Sequence, residues 1–322
     1  RPRDGSIKGE GVSTWEVIHG DCLEVLRGMP DASVDAVATD PPYFRVKSEA
    51  WDRQWGHDGA YLDWLSSIID EWWRVLRSNG SVYCFASPQM AARVEVRIGQ
   101  RFNVLNTITW QKPPYSTKAE MCDKSTMRGF FPASERIIFA EHYFEPLRLY
   151  LASERDRAGW TTRRVAEEYQ KVTGSRTVTG MAGHWFERVQ WALPTAANYQ
   201  WLRQLFNQSG GDYLRREYED LRRPFAVTPD VPYTDVWTFK TVQAYKGKHP
   251  CEKPVDMMEH IIRTSTKPGA VVLDCFAGSG STGVACARND RSFIGIEKDE
   301  SWADYARRRI AEAANHLYAE AK

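Results

Sequence analysis

Strand-sized apolar runs alternate with stretches of helical periodicity at both ends of this chain but not in its middle, and this narrows its architecture more than composition can. Trp15-Glu16-Val17-Ile18 reads as a short strand, and Asp21 as the N-cap of a helix over residues 21–26. Val34 to Thr39 is a second strand, ended abruptly by Pro41 and Pro42. From Tyr61 to Arg77, Leu62, Leu65, Ile69, Trp72 and Leu76 recur at three- and four-residue steps, which predicts an amphipathic helix closed by a C-cap at Asn79-Gly80. A strand over 81–86, a helix over 89–98 and a strand over 104–110 follow. This alternation predicts a mostly parallel sheet covered by helices, the α/β class.

After Gln111 the pattern breaks. Residues 112–133 are irregular and basic, and Ile137 to Ala140 restores one strand. Helical segments alone are read over 146–157, 162–170, 180–191, 199–206 and 212–222, so this block is expected to be a helical module inserted into the α/β domain. The alternation resumes with a helix over 255–264, strands over 270–274 and 292–297 flanking a helix over 282–288, and a closing helix from Ser301. The expected division is 15–144, 145–232 and 233–322.

No apolar run approaches the roughly 18 residues needed to span a bilayer, so a membrane partner is not expected. The 43 Lys and Arg against 42 Asp and Glu leave a net charge of +1, too little for a global field that attracts nucleic acid. Six scattered Cys without a CxxC pair, and no leader segment, predict a reduced, cytoplasmic protein with no zinc or other metal site. The 13 Trp, 14 Tyr and 13 Phe argue against disorder, and their number calls for an explanation.

Two motifs carry chemistry. Asp274-Cys275-Phe276-Ala277-Gly278-Ser279-Gly280 lies between a strand and a helix, where Gly278 and Gly280 permit a tight turn. No phosphate-seeking Lys follows and the third fingerprint glycine is missing, which speaks against a nucleotide-dependent oxidoreductase. Glu297, ending the next strand, suits two ribose hydroxyls. A ligand with a ribose and no phosphate fits, and S-adenosylmethionine is such a ligand. The second motif is Asp40-Pro41-Pro42-Tyr43. By itself it reads equally well as a proline-terminated strand with a turn-capping Asp. Chemically, Asp40 and the Pro41 carbonyl could accept both hydrogens of an exocyclic amine while Tyr43 stacks on its ring.

Together with His249-Pro250-Cys251-Glu252-Lys253-Pro254, and in this order, the two motifs resemble the β class of DNA amino-methyltransferases. Gly20-Asp21 also matches a family motif, while Cys275 and Ser281 stand where the family usually has Pro and Thr. The resemblance implies a doubly wound, Rossmann-like sheet with circularly permuted motif order and an inserted target-recognition module. It implies Asp40, Pro41, Pro42 and Tyr43 as catalytic residues, and Asp21, Lys253, Asp274, Phe276, Ala277, Gly278, Gly280 and Glu297 as binding S-adenosylmethionine, with Lys253 near its methionine carboxylate. It also implies base flipping in double-stranded DNA. A bacterial or prophage origin, a homodimer and a cognate restriction endonuclease are further expectations. Asp at the first tetrapeptide position leans toward the N6 of adenine, with the N4 of cytosine as the alternative.

Thr161 to Glu168 followed by Val178 to Phe186 resembles a helix-turn-helix, with Ala166 at the helix crossing and a recognition helix over 180–188. Arg163, Arg164, Arg176, His184 and Arg188 are its candidate DNA contacts, and the alternative is a helical insertion whose arginines face solvent. A non-catalytic regulator would use this module but leave both cofactor motifs idle. Lys112, Lys118, Lys124 and Arg128 form a second basic patch. Of the aromatics, Trp51 and Trp55 are candidates for a lid, and at least one of Trp72 and Trp73 is expected in the core.

Overall fold

The computed structural model describes residues 13–44, 46, 52–113, 125–143, 145–176, 180–227 and 233–320. Two compact units are present: Tyr143–Arg223, and the chain on either side of it.

In the larger unit the chain runs β1 (Trp15–His19), α1 (Cys22–Gly28), β2 (Val34–Thr39), α2 (Asp58–Val75), β3 (Leu76–Ala86), α3 (Ala91–Gly99), β4 (Phe102–Gln111) and β5 (Ser134–His142). The inserted unit holds α4 (Glu145–Arg157), α5 (Thr162–Thr173), α6 (Met181–Phe186), α7 (Ala196–Asn207) and α8 (Tyr218–Leu221). The larger unit then resumes with β6 (Val236–Trp237), α9 (Val255–Ser265), β7 (Val271–Asp274), α10 (Ser281–Arg288), β8 (Ser292–Glu297) and α11 (Glu300–Glu320).

The strands form one sheet in the order β1-β8-β7-β2-β3-β5-β4-β6. Pairing is parallel from β1 through β3, antiparallel on both sides of β5, and parallel again between β4 and β6. Period-two alternation divides the side chains between the faces. Val37, Val82 and Cys84 pack with α1, α2 and α3, while Ala38, Tyr83 and Phe85 pack with α9, α10 and α11. Because β7 leads outward to β8 and β1 while β2 leads the other way to β3, strand order reverses between β7 and β2. A crevice opens at the carboxyl ends of strands flanking such a reversal.

Three local expectations need correction. Helix α2 ends at Val75, and Asn79-Gly80 lies inside β3, because the β2–β3 register shifts from Val34↔Leu76 to Ala36↔Ser81 and the dipeptide is absorbed as an irregularity. Helix α6 stops at Phe186, short of the recognition helix expected over 180–188. The following chain folds back on it: Ala192 N donates to His184 O at 2.9 Å and Trp191 Nε1 to Trp185 O at 3.1 Å. The helix expected over 212–222 shrinks to the four residues of α8, since side chains satisfy the preceding backbone. Tyr199 Oη donates to Arg216 O at 2.7 Å, and Leu214 N to Glu154 Oε2 at 2.6 Å.

Candidate active site

The reversal point brings the two motifs together. Thr39 and Asp274 end adjacent strands, and the Thr39 hydroxyl donates to Asp274 Oδ1 at 2.8 Å while accepting Cys275 N at 3.1 Å. Asp274 also accepts Thr282 Oγ1 at 2.6 Å and Phe276 N at 3.1 Å. Burial pushes its carboxyl up to about 6 against those donors. Both of its oxygens are thus engaged in shaping the loop. Below that loop the buried Trp72 donates Nε1 to Cys275 Sγ at 3.1 Å, a bond a proline at 275 could not accept.

A cavity of about 460 Å³ opens here, lined by Asp21, Asp40, Pro41, Pro42, Tyr43, Lys253, Asp274, Phe276, Ala277, Gly278 and Glu297, and also by Trp64, His249 and Trp302. Of the residues expected at the cofactor, Gly280 alone is not on this wall. Its φ of +77° makes the turn, and a Cβ there would stand 3.0 Å from Ala306 Cβ, so its smallness lets α11 approach. Gly278, at φ +49°, lies against the His249 imidazole. Asp21 caps α1, accepting Leu23 N at 3.0 Å, and its other oxygen meets Lys298 Nζ at 3.2 Å. Glu297 accepts Gly278 N at 2.8 Å through Oε2 and Asp299 N at 2.9 Å through Oε1. Burial pushes its carboxyl up against these bonds, and each oxygen keeps a lone pair for a further donor.

Around the tetrapeptide the charges are paired. Lys253 Nζ pairs with Asp40 Oδ2 and stands 3.3 Å from Glu135 Oε2, over the rings of Phe85 and Tyr43. Tyr43 Oη donates to Glu135 Oε2 at 3.0 Å. Burial pushes Asp40 up, opposed by Lys253. Burial also favours neutral Glu135, but Lys253 and Lys112 outweigh it and hold that carboxyl well below the usual carboxylate range. Asp40 Oδ1 is buried and accepts no hydrogen bond from the described residues. Lys112 is drawn inward from the expected basic patch, since its Nζ meets Glu135 Oε1 at 2.5 Å and lies 5.2 Å from the Trp110 ring centroid.

Sequence reasoning missed Glu135, which has no motif around it and reaches the site only because β5 lies beside β3. It also missed Arg309, whose guanidinium donates to Ser279 O at 3.1 Å and pairs with the buried Glu252 at 2.9 Å, tying the glycine loop to the segment over 249–254. Trp64 was missed too; its ring lies 5.7 Å from that of Phe276. The helical period around α2 placed Trp64 on a helix but could not say which wall it would reach. Trp55 belongs to the same aromatic cluster, 4.7 Å from Trp64 and only 9% exposed, so it packs the wall rather than covering the cavity as a lid. Trp51 lies outside the described residues, as do Lys118 and Lys124. Trp72 is core and Trp73 is 44% exposed.

In the inserted unit, Ala166 is buried where α5 and α6 pack. Arg163 pairs with Glu167 at 3.0 Å, and Arg164 lies over the Trp160 ring at 4.7 Å. Arg176 and Arg188 are exposed and His184 is half-buried. Arg128, in the larger unit, is also exposed. No cluster of three His, Cys, Asp or Glu side chains suited to a metal occurs among the described residues, and none of the described helices is long and apolar enough to cross a membrane.

The chain is similar to known proteins over most of its length. The DNA adenine methyltransferase YhdJ of Escherichia coli K12 is 26% identical over 318 residues, which span 94% of this chain and 85% of that one. The type II methyltransferase M2.DpnII of Streptococcus pneumoniae is 27% identical over 316 residues, spanning 93% and 90%. Two solved structures share the fold. PvuII DNA methyltransferase, described as cytosine-N4-specific, matches with a TM-score of 0.57 at 16% identity, covering 95% of this chain and 93% of that one. The complex of M1.HpyAVI with SAM matches with a TM-score of 0.52 at 19% identity, covering 92% and 98%. The sequence profile of the DNA methylase family matches residues 34–308, from the strand before the tetrapeptide into the last helix, and the chain belongs to that family.

Proposed function

We propose that this protein transfers a methyl group from S-adenosylmethionine to the exocyclic N6 amine of adenine within a specific duplex DNA sequence. The observation that carries the reading is the division of the Asp40 carboxylate: Oδ2 is held by Lys253, while Oδ1 is a buried acceptor without a donor. A buried acceptor of this kind costs free energy until a donor arrives. An amine hydrogen on Oδ1 and a second on the Pro41 carbonyl would hold the nitrogen lone pair out of ring conjugation. The raised Asp40 carboxyl also suits it to take the proton that the amine must lose. Tyr43 would stack on the base, which must leave the duplex to enter the cavity.

The cavity suits the cofactor. Glu297 keeps lone pairs for a ribose diol, Phe276, Ala277 and Gly278 offer an apolar face and a close-approaching backbone, and Asp21 lies on the same wall. When bound, the cofactor supplies a methyl group already activated by a sulfonium, so the residues of the chain have only to align and desolvate the amine.

Adenine rather than cytosine is favoured by Asp at position 40 and by the names of relatives such as YhdJ. Residues 145–232 would read the target sequence, with Arg163, Arg164, Arg176, His184 and Arg188 at phosphates or base edges and Arg128 beside the strand. Catalysis would come from 15–144 and cofactor binding from 233–322. Type II relatives such as M2.DpnII make a partner endonuclease a reasonable companion.

The test is transfer of labelled methyl from S-adenosylmethionine to duplex DNA, followed by nucleoside mass spectrometry. N6-methyladenine is expected. N4-methylcytosine would move the assignment to the alternative base, and absence of label in DNA would overturn it.

A further inference from the structure

Behind the tetrapeptide lie two paired charges, Glu135 and Lys112, that the reaction outlined above does not itself use. Glu135 spends both oxygens inside the protein: Oε1 on Lys112 at 2.5 Å, Oε2 on the Tyr43 hydroxyl at 3.0 Å and on Lys253 Nζ at 3.3 Å. Its side chain is 13% exposed, that of Lys253 9% and that of Asp40 16%. Two carboxylates and two ammonium groups balance, so the set can lie under the site without an uncompensated buried charge. Both oxygens of Glu135 are held by donors of the protein, so what it can govern is where its partners stand.

Those partners are the groups that meet the base. The Tyr43 hydroxyl, held by Glu135, sets the plane of the ring. Lys253, held between Glu135 and Asp40, cannot give all of its donors to Asp40. We propose that Glu135 is a positioning residue for methyl transfer, fixing the Tyr43 ring and, with Oδ2 of Asp40, holding Lys253 where it leaves Asp40 Oδ1 to the amine. This inference rests on the amino-methyltransferase reading given above.

The charge it carries makes the idea testable. Asp40 interacts with Lys253, Glu135 and Tyr43, and more weakly placed around it are Asp274, Tyr61 and Cys84. Lys253 also feels Cys251. The negative charge at 135 opposes ionisation of Asp40. Glu135→Gln removes that charge, so the acid limb of the methyl-transfer rate should move to lower pH. Lys112→Gln leaves Glu135 less compensated, so the limb should move to higher pH.

Single-turnover methyl transfer to duplex DNA is measured at saturating cofactor from about pH 5 to 9, with cofactor affinity by calorimetry and melting temperature alongside. The expectation for Glu135→Gln is a loss of about 10- to 100-fold in rate, cofactor affinity near that of the wild type, and the downward limb. A residue that merely supported the fold would not shift the two limbs in opposite directions. Wild-type rate and an unmoved limb in Glu135→Gln would overturn the assignment and leave the methyltransferase reading standing; failure of the wild type to label DNA would overturn both. Should Glu135→Gln not fold, Lys112→Gln decides: an upward limb supports the assignment and an unmoved one overturns it.

Discussion

The hydroxyl of Thr39, last residue of β2, donates to the carboxylate of Asp274, last residue of β7, at 2.8 Å, and this bond joins the strand end bearing the tetrapeptide to the one bearing the glycine loop. Two motifs more than 230 residues apart, Thr39 and Asp274 being separated by 235, thereby share one cavity. Strand pairing alone sets the relation between the two motifs.

Asp40→Ala removes the acceptor without touching the loop or Glu297. Methyl transfer should fall by about 10²- to 10⁴-fold, while cofactor affinity by calorimetry stays close to that of the wild type. Appreciable turnover by this variant would remove Asp40 from the chemistry.

Asp274 gives a pH signature. Its carboxyl sits at about 6 in the folded chain, against an ordinary value of 3.8. Between those values the folded state holds a proton that the unfolded state has released, so this contribution to stability is complete below the lower value and is lost as pH rises through the upper one. The loss is on the order of 3 kcal/mol. Urea unfolding of the wild type and of Asp274→Asn from about pH 4 to 7 should give a stability difference that shifts in favour of the variant as pH rises; a difference constant with pH would contradict it.

Neighbouring tryptophans should behave differently. Trp72 is fully buried and bonded to Cys275 Sγ, so Trp72→Phe leaves both a void and a thiol without its donor and should cost about 2 kcal/mol. Trp73 is 44% exposed and touches the edge of His142. Trp73→Phe should stay within about 0.5 kcal/mol of the wild type in the same denaturation assay.

Replacing Arg163, Arg164 and Arg188 together by Ala should weaken duplex binding and lower the salt slope by up to about 3 if each meets a phosphate. Fluorescence anisotropy across a salt series measures it, and cofactor affinity serves as the control. An unchanged slope would leave these side chains to their local partners, Glu167 for Arg163 and Trp160 for Arg164.

The alternation of strand and helix, the tetrapeptide at a strand end and the glycine loop before a helix were all legible in the sequence, because period-two and three-to-four-residue patterns, prolines and turn glycines act over a few residues. What Glu135, Lys112 and Lys253 do was not. Glu135 lies 92 residues from Tyr43 and Lys253 lies 213 from Asp40, and no periodicity says which charges a sheet will bury side by side. The same holds where α6 stops, since the chain that ends it returns from beyond Phe186 to take its carbonyls. Local patterning determined which elements form and which motifs they carry; the order of strands in the sheet decided which side chains share a charge, because Coulombic pairing depends on distance in space and not on separation along the chain.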